Sequence, residues 1–181
     1  MKLLPLLLTT LSLAAATAFG GNYSFNGDTT GASPFNRPTQ PGDALSDIGT
    51  AVPYYALNFS VTLSGSYNFS ALPSDTSSFD SFIHVYSGSF NPSAPLNHFL
   101  AANDDAPGGS AFGSALNGLS LVAGNSYTFV IDGFGNSDFG PFSANISGPG
   151  GVSPVPEPSA LALIGIGSAL AGLARRRSTG N

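Results

Sequence analysis

The sequence contains no cysteine and no tryptophan, has one methionine, and carries charge on only 8% of its 181 residues. The lack of cysteine excludes disulfide bonds, thiolate metal sites and a cysteine nucleophile. Low charge together with 23 glycines and 14 phenylalanines is typical of turn-rich β structure. At this length, with a hydrophobic segment at each end, we expect a single domain.

Basic residues are scarce as well, with five Lys and Arg in the whole chain. Between residues 19 and 153 only Arg37 is basic, against nine Asp, so this middle part has a net charge of −8. A surface of that sign repels phosphate backbones. The composition therefore predicts no nucleic-acid partner, and it disfavours anionic lipid surfaces for the same reason.

The first 18 residues have the layout of a secretory signal peptide. Lys2 supplies a positive start and residues 3–15 supply a short apolar run, which ends in the small residues Ala16 and Ala18. Signal peptidase accepts this small-x-small pattern, so we expect the mature chain to begin near Phe19. An uncleaved anchor or a buried helix is the alternative, but the run is short for either.

The C-terminal end combines a proline-rich stretch, an apolar run and a basic block. Residues 151–158 predict a semi-rigid linker. Residues 159–174 carry no charge, and they predict a single transmembrane helix about 24 Å long. A core helix is the alternative, but the run lacks the polar stripe of a surface helix. The tail, 175–181, opens with a stop signal that stays on the cytoplasmic side, formed by Arg175, Arg176 and Arg177.

The tripeptide Pro156, Glu157 and Pro158 followed by an apolar helix and an arginine block resembles the PEP-CTERM sorting signal. The resemblance implies recognition by an exosortase, a membrane protease of Gram-negative bacteria that make exopolysaccharide. It implies that the chain is exported across the inner membrane and anchored transiently through its C-terminal helix. The tail is then removed near the motif, and the protein passes to the cell surface or the extracellular matrix of a biofilm.

Residues 19–150 predict an all-β domain, an antiparallel, jelly-roll-like β-sandwich of about seven to nine short strands. Apolar and polar residues alternate along 57–71 and along 119–131, and a turn sequence interrupts each stretch. These patterns predict two hairpins, with turns at 65–66 and 124–125. The stretch 81–88 has no polar face and predicts a central strand that is covered on both sides.

Parts of this middle region resemble the bacterial pre-peptidase C-terminal type of β-sandwich. The resemblance extends over about residues 50–150 and is carried by the stretches 79–105, 121–134 and 140–150. Domains of that type are binding or accessory modules in exported proteins. The resemblance therefore implies a non-enzymatic role.

Acidic residues are the candidates for a binding site. Asp104 and Asp105 share one loop ahead of two glycines, and Asp80 lies at a strand end. Oxygen ligands in flexible loops suit Ca²⁺, so these three residues predict a calcium site, although no EF-hand spacing is present. The alternative is a role in turns, where Asp and Asn side chains bond to their own backbone.

We expect a non-enzymatic exported protein that binds Ca²⁺ or polysaccharide. The alternative is a secreted hydrolase that acts on exopolysaccharide through Asp pairs. His84 has no second His or Cys nearby in the sequence and is interpreted as a structural histidine. Four N-x-S sequences are interpreted as strand composition; they begin at Asn22, Asn58, Asn68 and Asn145.

Overall fold

The computed structural model describes residues 20–74, 79–107 and 112–155, and within them the chain forms eleven β-strands and no helix. The strands are β1 (Gly21–Asp28), β2 (Pro34–Phe35), β3 (Val52–Pro53), β4 (Tyr55–Val61), β5 (Gly65–Pro73), β6 (Ser81–Ser87), β7 (Phe99–Asn103), β8 (Ser114–Leu121), β9 (Ser126–Gly133), β10 (Pro141–Gly148) and β11 (Val152–Pro154). The predicted signal peptide and transmembrane helix lie outside these ranges. No helix able to cross a membrane occurs in the part of the chain that the structure describes.

All strand pairs are antiparallel, which confirms the predicted all-β antiparallel class. One sheet has four strands in the order β1-β10-β5-β8, and the second has five in the order β11-β4-β9-β6-β7. The short strands β2 and β3 pair with each other as a separate ribbon. The two large sheets together hold nine strands.

One hydrophobic core lies between the two large sheets. Period-two alternation places most apolar residues of β5 and β10 on one buried face, with Leu72 as an exposed exception. The aromatic rings of these strands meet rings from the other sheet, with 5.2 Å between the centroids of Phe69 and Phe129 and 5.9 Å between those of Phe59 and Phe69. Facing sheets with a shared core are the arrangement expected of a sandwich.

Both predicted hairpins are wrong. β4 and β5 lie in different sheets, as do β8 and β9, so each connection crosses from one layer to the other. Alternation shows which face of a strand is buried, but both layers bury their faces in the same core, so the pattern does not identify the pairing partner. A tyrosine hydroxyl holds each crossing: Tyr67 donates to the Leu63 carbonyl, and Tyr127 accepts from the Val122 amide, both at 2.8 Å.

Strand β6 is covered on both faces, as predicted for residues 81–88. It pairs with β9 on one side and β7 on the other, and its first six residues are buried. Ile83 and Val85 point into the shared core. Tyr86 belongs to a second apolar cluster, where it packs with Phe35 and Val52 from the segment that carries β2 and β3. This covering segment explains why β6 has no polar face.

The folded domain extends beyond its predicted end at residue 150. Val152–Pro154, predicted as linker, form the edge strand β11 against β4, and the amide of Val155 donates to the Asn58 carbonyl at 2.8 Å. Pro154 lies opposite Phe59 in a pair that exchanges no backbone hydrogen bonds, because the hydrogen bonds of this ladder are made by the pairs on either side. Proline has no amide hydrogen, so it fits this position without loss of a bond. An edge position with this register is compatible with proline, so a proline-rich sequence still forms a strand here.

Candidate functional site

Arg37 lies buried on the outer side of the five-stranded sheet, with only 3% of its surface exposed. Its Nε and Nη2 donate to the Phe134 carbonyl at 3.0 and 2.7 Å, and its Nη1 donates to the Pro38 carbonyl at 3.2 Å. The guanidinium carbon is 4.0 Å from the centroid of the Phe82 ring. Backbone acceptors and an aromatic face therefore fix the position of the only basic side chain in the described ranges.

Four carboxylates surround this guanidinium at electrostatic range. Burial lowers the pKa of Arg37, and the negative charges raise it again, in the order Asp132, Asp104, Asp138 and Asp80. An arginine keeps its proton under such opposing influences. The positive charge of Arg37 therefore compensates the negative charges of these four carboxylates.

Asp132 and His84 form a fully buried pair on the neighbouring strands β9 and β6. Asp132 Oδ2 lies 3.0 Å from His84 Nδ1, and neither side chain is exposed. The two atoms are close, but they are not aligned as a hydrogen bond. Burial raises the pKa of Asp132, while His84 and Arg37 lower it. The imidazole ring also stacks on Phe82, with 4.9 Å between centroids.

The charges of the three predicted calcium ligands act on one another, and those of Asp80 and Asp104 also act on Arg37. Burial raises the pKa of Asp104 to about 6, and the charges of Asp80 and Asp105 add to this rise. Burial also raises the pKa of Asp80, with contributions from Asp138 and Asp105. Carboxylates whose negative charges raise one another's pKa also attract a cation, and the Arg37 guanidinium already supplies one positive charge.

Across residues 20–74, 79–107 and 112–155, no group of three or more His, Cys, Asp or Glu side chains has the arrangement of a metal site. The calcium site at Asp80, Asp104 and Asp105 stays a prediction. If these residues bind Ca²⁺, the melting temperature is expected to be higher in calcium than in a chelator, and an unchanged melting temperature contradicts the prediction.

Sequence reasoning missed Arg37 and the pairing of His84 with Asp132. Part of the signal for Arg37 was present, because a single basic residue among nine acids is attracted to them, but nothing in the sequence indicated that it would be buried. The pairing had no such signal. It depends on the antiparallel register of β6 with β9, which brings together residues 48 positions apart.

A second feature lies on the outer face of the four-stranded sheet, where six uncharged polar residues from three strands lie side by side. We call these six residues the Asn/Ser face. They contain three of the four N-x-S sequences, and the register aligns them in two cross-strand rows: Asn22, Ser147 and Asn68, then Ser24, Asn145 and Ser70.

Hydrogen bonds within the Asn/Ser face fix some of its side chains. The Asn145 amide donates to Ser24 Oγ at 2.9 Å and to Asn22 Oδ1, and Asn68 Oδ1 accepts the Gly118 amide at 2.9 Å. Several amide and hydroxyl groups of the two rows are left to solvent. The face is therefore ordered and rich in donors and acceptors.

The third feature is the C-terminal edge of the domain. Strand β11 ends at Pro154, and the tripeptide Pro156, Glu157 and Pro158 follows after one further residue, Val155. The tripeptide, Arg175, Arg176 and Arg177 lie outside the described residues, as do Ala16 and Ala18 of the signal peptide.

Comparison with protein families finds the PEP-CTERM protein-sorting motif at residues 154–178. The match includes the predicted tripeptide and all three arginines of the predicted stop signal. This motif indicates an exported protein that is targeted to an exosortase and anchored transiently in the membrane before its release. No curated protein matches the sequence at a significant level. The predicted likeness of residues 50–150 to the pre-peptidase C-terminal domain stays a prediction.

Proposed function

We propose that this chain is a non-enzymatic protein of the cell surface or extracellular matrix, released by exosortase cleavage near Pro156, Glu157 and Pro158. The observation that carries the proposal is the position of the sorting motif, which begins at Pro154, where the last strand ends. Cleavage near the tripeptide removes the apolar run and the arginines and leaves every strand of the domain intact. The released product is then the complete acidic β domain.

Replacing Pro156, Glu157 and Pro158 with alanine is expected to abolish release in cells that export the chain together with an exosortase. The wild-type product loses its C-terminal tail, whereas the triple variant keeps Arg175, Arg176 and Arg177. Intact-mass spectrometry of the exported protein distinguishes the two products. The single variant Pro92→Ala, at an exposed position in the loop between β6 and β7, is the control and is expected to be processed. A wild-type product that retains the arginines contradicts the proposal.

The buried location of the only His–Asp pair in the described residues supports a structural role for that pair and favours the non-enzymatic assignment. A hydrolase acting through Asp pairs remains the competing proposal, with Asp104 and Asp105 as its carboxylates. Purified matrix polymer distinguishes these proposals. Turnover by the wild type that is lost in a folded Asp104→Ala/Asp105→Ala variant favours the hydrolase, and no turnover by either protein favours the binding module.

The Asn/Ser face favours a neutral polysaccharide as the ligand of this module. Its amides and hydroxyls are the groups that hydrogen-bond to sugar hydroxyls, and both of its rows are uncharged. The domain's net charge of −8 repels acidic polymers. The hydrogen bonds of Asn145 also reduce the ordering that binding costs, because they hold part of the face in place beforehand.

The variant Asn22→Ala/Asn68→Ala is expected to bind a neutral glucan about tenfold more weakly, because two hydrogen bonds of about 0.5–1.5 kcal/mol each are lost. Retention on insoluble cellulose measures this affinity, and alginate serves as the acidic comparison. The control is Asn97→Ala, in the exposed loop between β6 and β7, which is expected to leave binding unchanged. Equal retention of all three proteins, stronger binding to alginate, or no binding to cellulose contradicts the assignment.

A further inference from the structure

Strand β11 places the sorting motif directly at the edge of a folded sheet. The ladder with β4 continues through the Val155 amide, which donates to Asn58. The tripeptide begins at the next residue, Pro156, and the motif match itself includes Pro154. Among the residues that the structure describes, the last hydrogen bond to β4 therefore lies directly beside the segment that the protease must recognise.

Proteases bind their substrates as extended segments whose backbone groups pair with the enzyme. Here the backbone of residues 152–155, just before the tripeptide, is already paired with β4. Its hydrogen-bonding groups on that side are therefore not available to the enzyme. We propose that β11 separates from β4 before cleavage and that residues 152–155 form the upstream part of the segment that the exosortase engages. This inference rests on the proposed function, and it extends the recognition segment into the folded domain.

The local structure favours such a separation. β11 has only three residues, and two of them, Ser153 and Pro154, are exposed. Only Val152 packs against the shared core. Short edge strands with few buried contacts are among the first parts of a domain to open.

The connection before β11 provides a pivot. Residues 148–151 contain three glycines and Pro149, and the Gly151 carbonyl accepts the Thr62 amide at 3.0 Å. Upstream of this connection, β10 pairs with both β1 and β5 and is thereby fixed in the sheet. The strand can therefore leave at its C-terminal end while the rest of the domain stays folded.

A disulfide between β11 and β4 tests this inference, because the chain contains no cysteine of its own. Ser153 lies opposite Ser60, and Cα atoms of such pairs are about 5.5 Å apart, within the range that a disulfide spans. In the oxidising periplasm, Ser60→Cys/Ser153→Cys is expected to retain its tail at least tenfold longer than the wild type. Reduction of the disulfide in isolated membranes that carry the exosortase is expected to restore cleavage.

The matched control is Asn26→Cys/Ser143→Cys, which joins β1 to β10 at exposed positions far from the motif. It is expected to be processed at the wild-type rate. A second variant, Val152→Asp, removes the one apolar contact of β11 with the shared core and is expected to speed cleavage severalfold. Wild-type cleavage of the oxidised β11–β4 variant overturns the inference. Failure of the wild-type chain to be cleaved at all removes the proposed function, and the inference with it.

Discussion

Replacing Arg37 with methionine is expected to lower the free energy of unfolding by about 3–5 kcal/mol, as for removal of one partner from a buried charge cluster. Methionine preserves most of the side chain's volume but removes the positive charge and all five donors. The Phe134 and Pro38 carbonyls lose their guanidinium donors, and Asp132 loses a positive charge that lowers its pKa. Urea unfolding of the exported protein measures the loss.

Two further variants separate charge from hydrogen bonding at this position. Arg37→Lys keeps the charge but not the planar fork, so we expect a smaller loss than for methionine. Adding Asp132→Asn to Arg37→Met is expected to cost less than the sum of the two single changes, because each variant removes one member of an interacting pair. Strict additivity, or a methionine variant as stable as the wild type, contradicts the role of Arg37 as counter-cation.

The same cluster makes stability depend on pH. Asp104 has a pKa of about 6 in the fold because of burial and of the charges of Asp80 and Asp105, whereas an unfolded Asp titrates near 3.9. Between these values the folded protein binds more protons, so stability falls as pH rises from about 4 through about 6. The loss caused by Arg37→Met is therefore expected to be smaller at about pH 4 than at about pH 7, where Asp104 is ionised. Equal losses at both pH values contradict an electrostatic cause.

Local sequence patterns predicted the positions of the strands better than they predicted which strands pair with each other. The alternation in β5 and β10 reflects burial of one face. Strand β9 is buried on both faces from Tyr127 to Gly133, although its sequence alternates in the same way. The sheet to which a strand belongs depends on the strand that pairs with it. Because both sheets bury apolar residues in the same core, the apolar pattern does not show which sheet that is. Strand β1 was not predicted, since glycine and asparagine disfavour strands and only Tyr23 and Phe25 alternate there. Pairing with β10 outweighs this weak local preference.

The candidate sites divide in a similar way. The sorting motif was predicted from the sequence because its chemistry lies in a continuous order of residue types, and the family comparison finds the same segment. The surroundings of Arg37 were not predicted, because its neighbours come from β6, β9 and the segment after β7. Residues that are distant in the chain meet there only once the sheet register is known.

Replacing Phe129 with alanine is expected to lower the free energy of unfolding by about 3–5 kcal/mol, the usual cost of removing a buried phenylalanine. Phe129 is fully buried on β9, and its ring packs at 5.2 Å from Phe69 and 6.2 Å from Phe25, both on the opposite sheet. These contacts join the two sheets across the shared core. Phe139→Ala, at a position with 39% of its surface exposed, is the matched control and is expected to cost less than about 1 kcal/mol. Equal losses for the two variants in urea unfolding would show that Phe129 does not join the sheets.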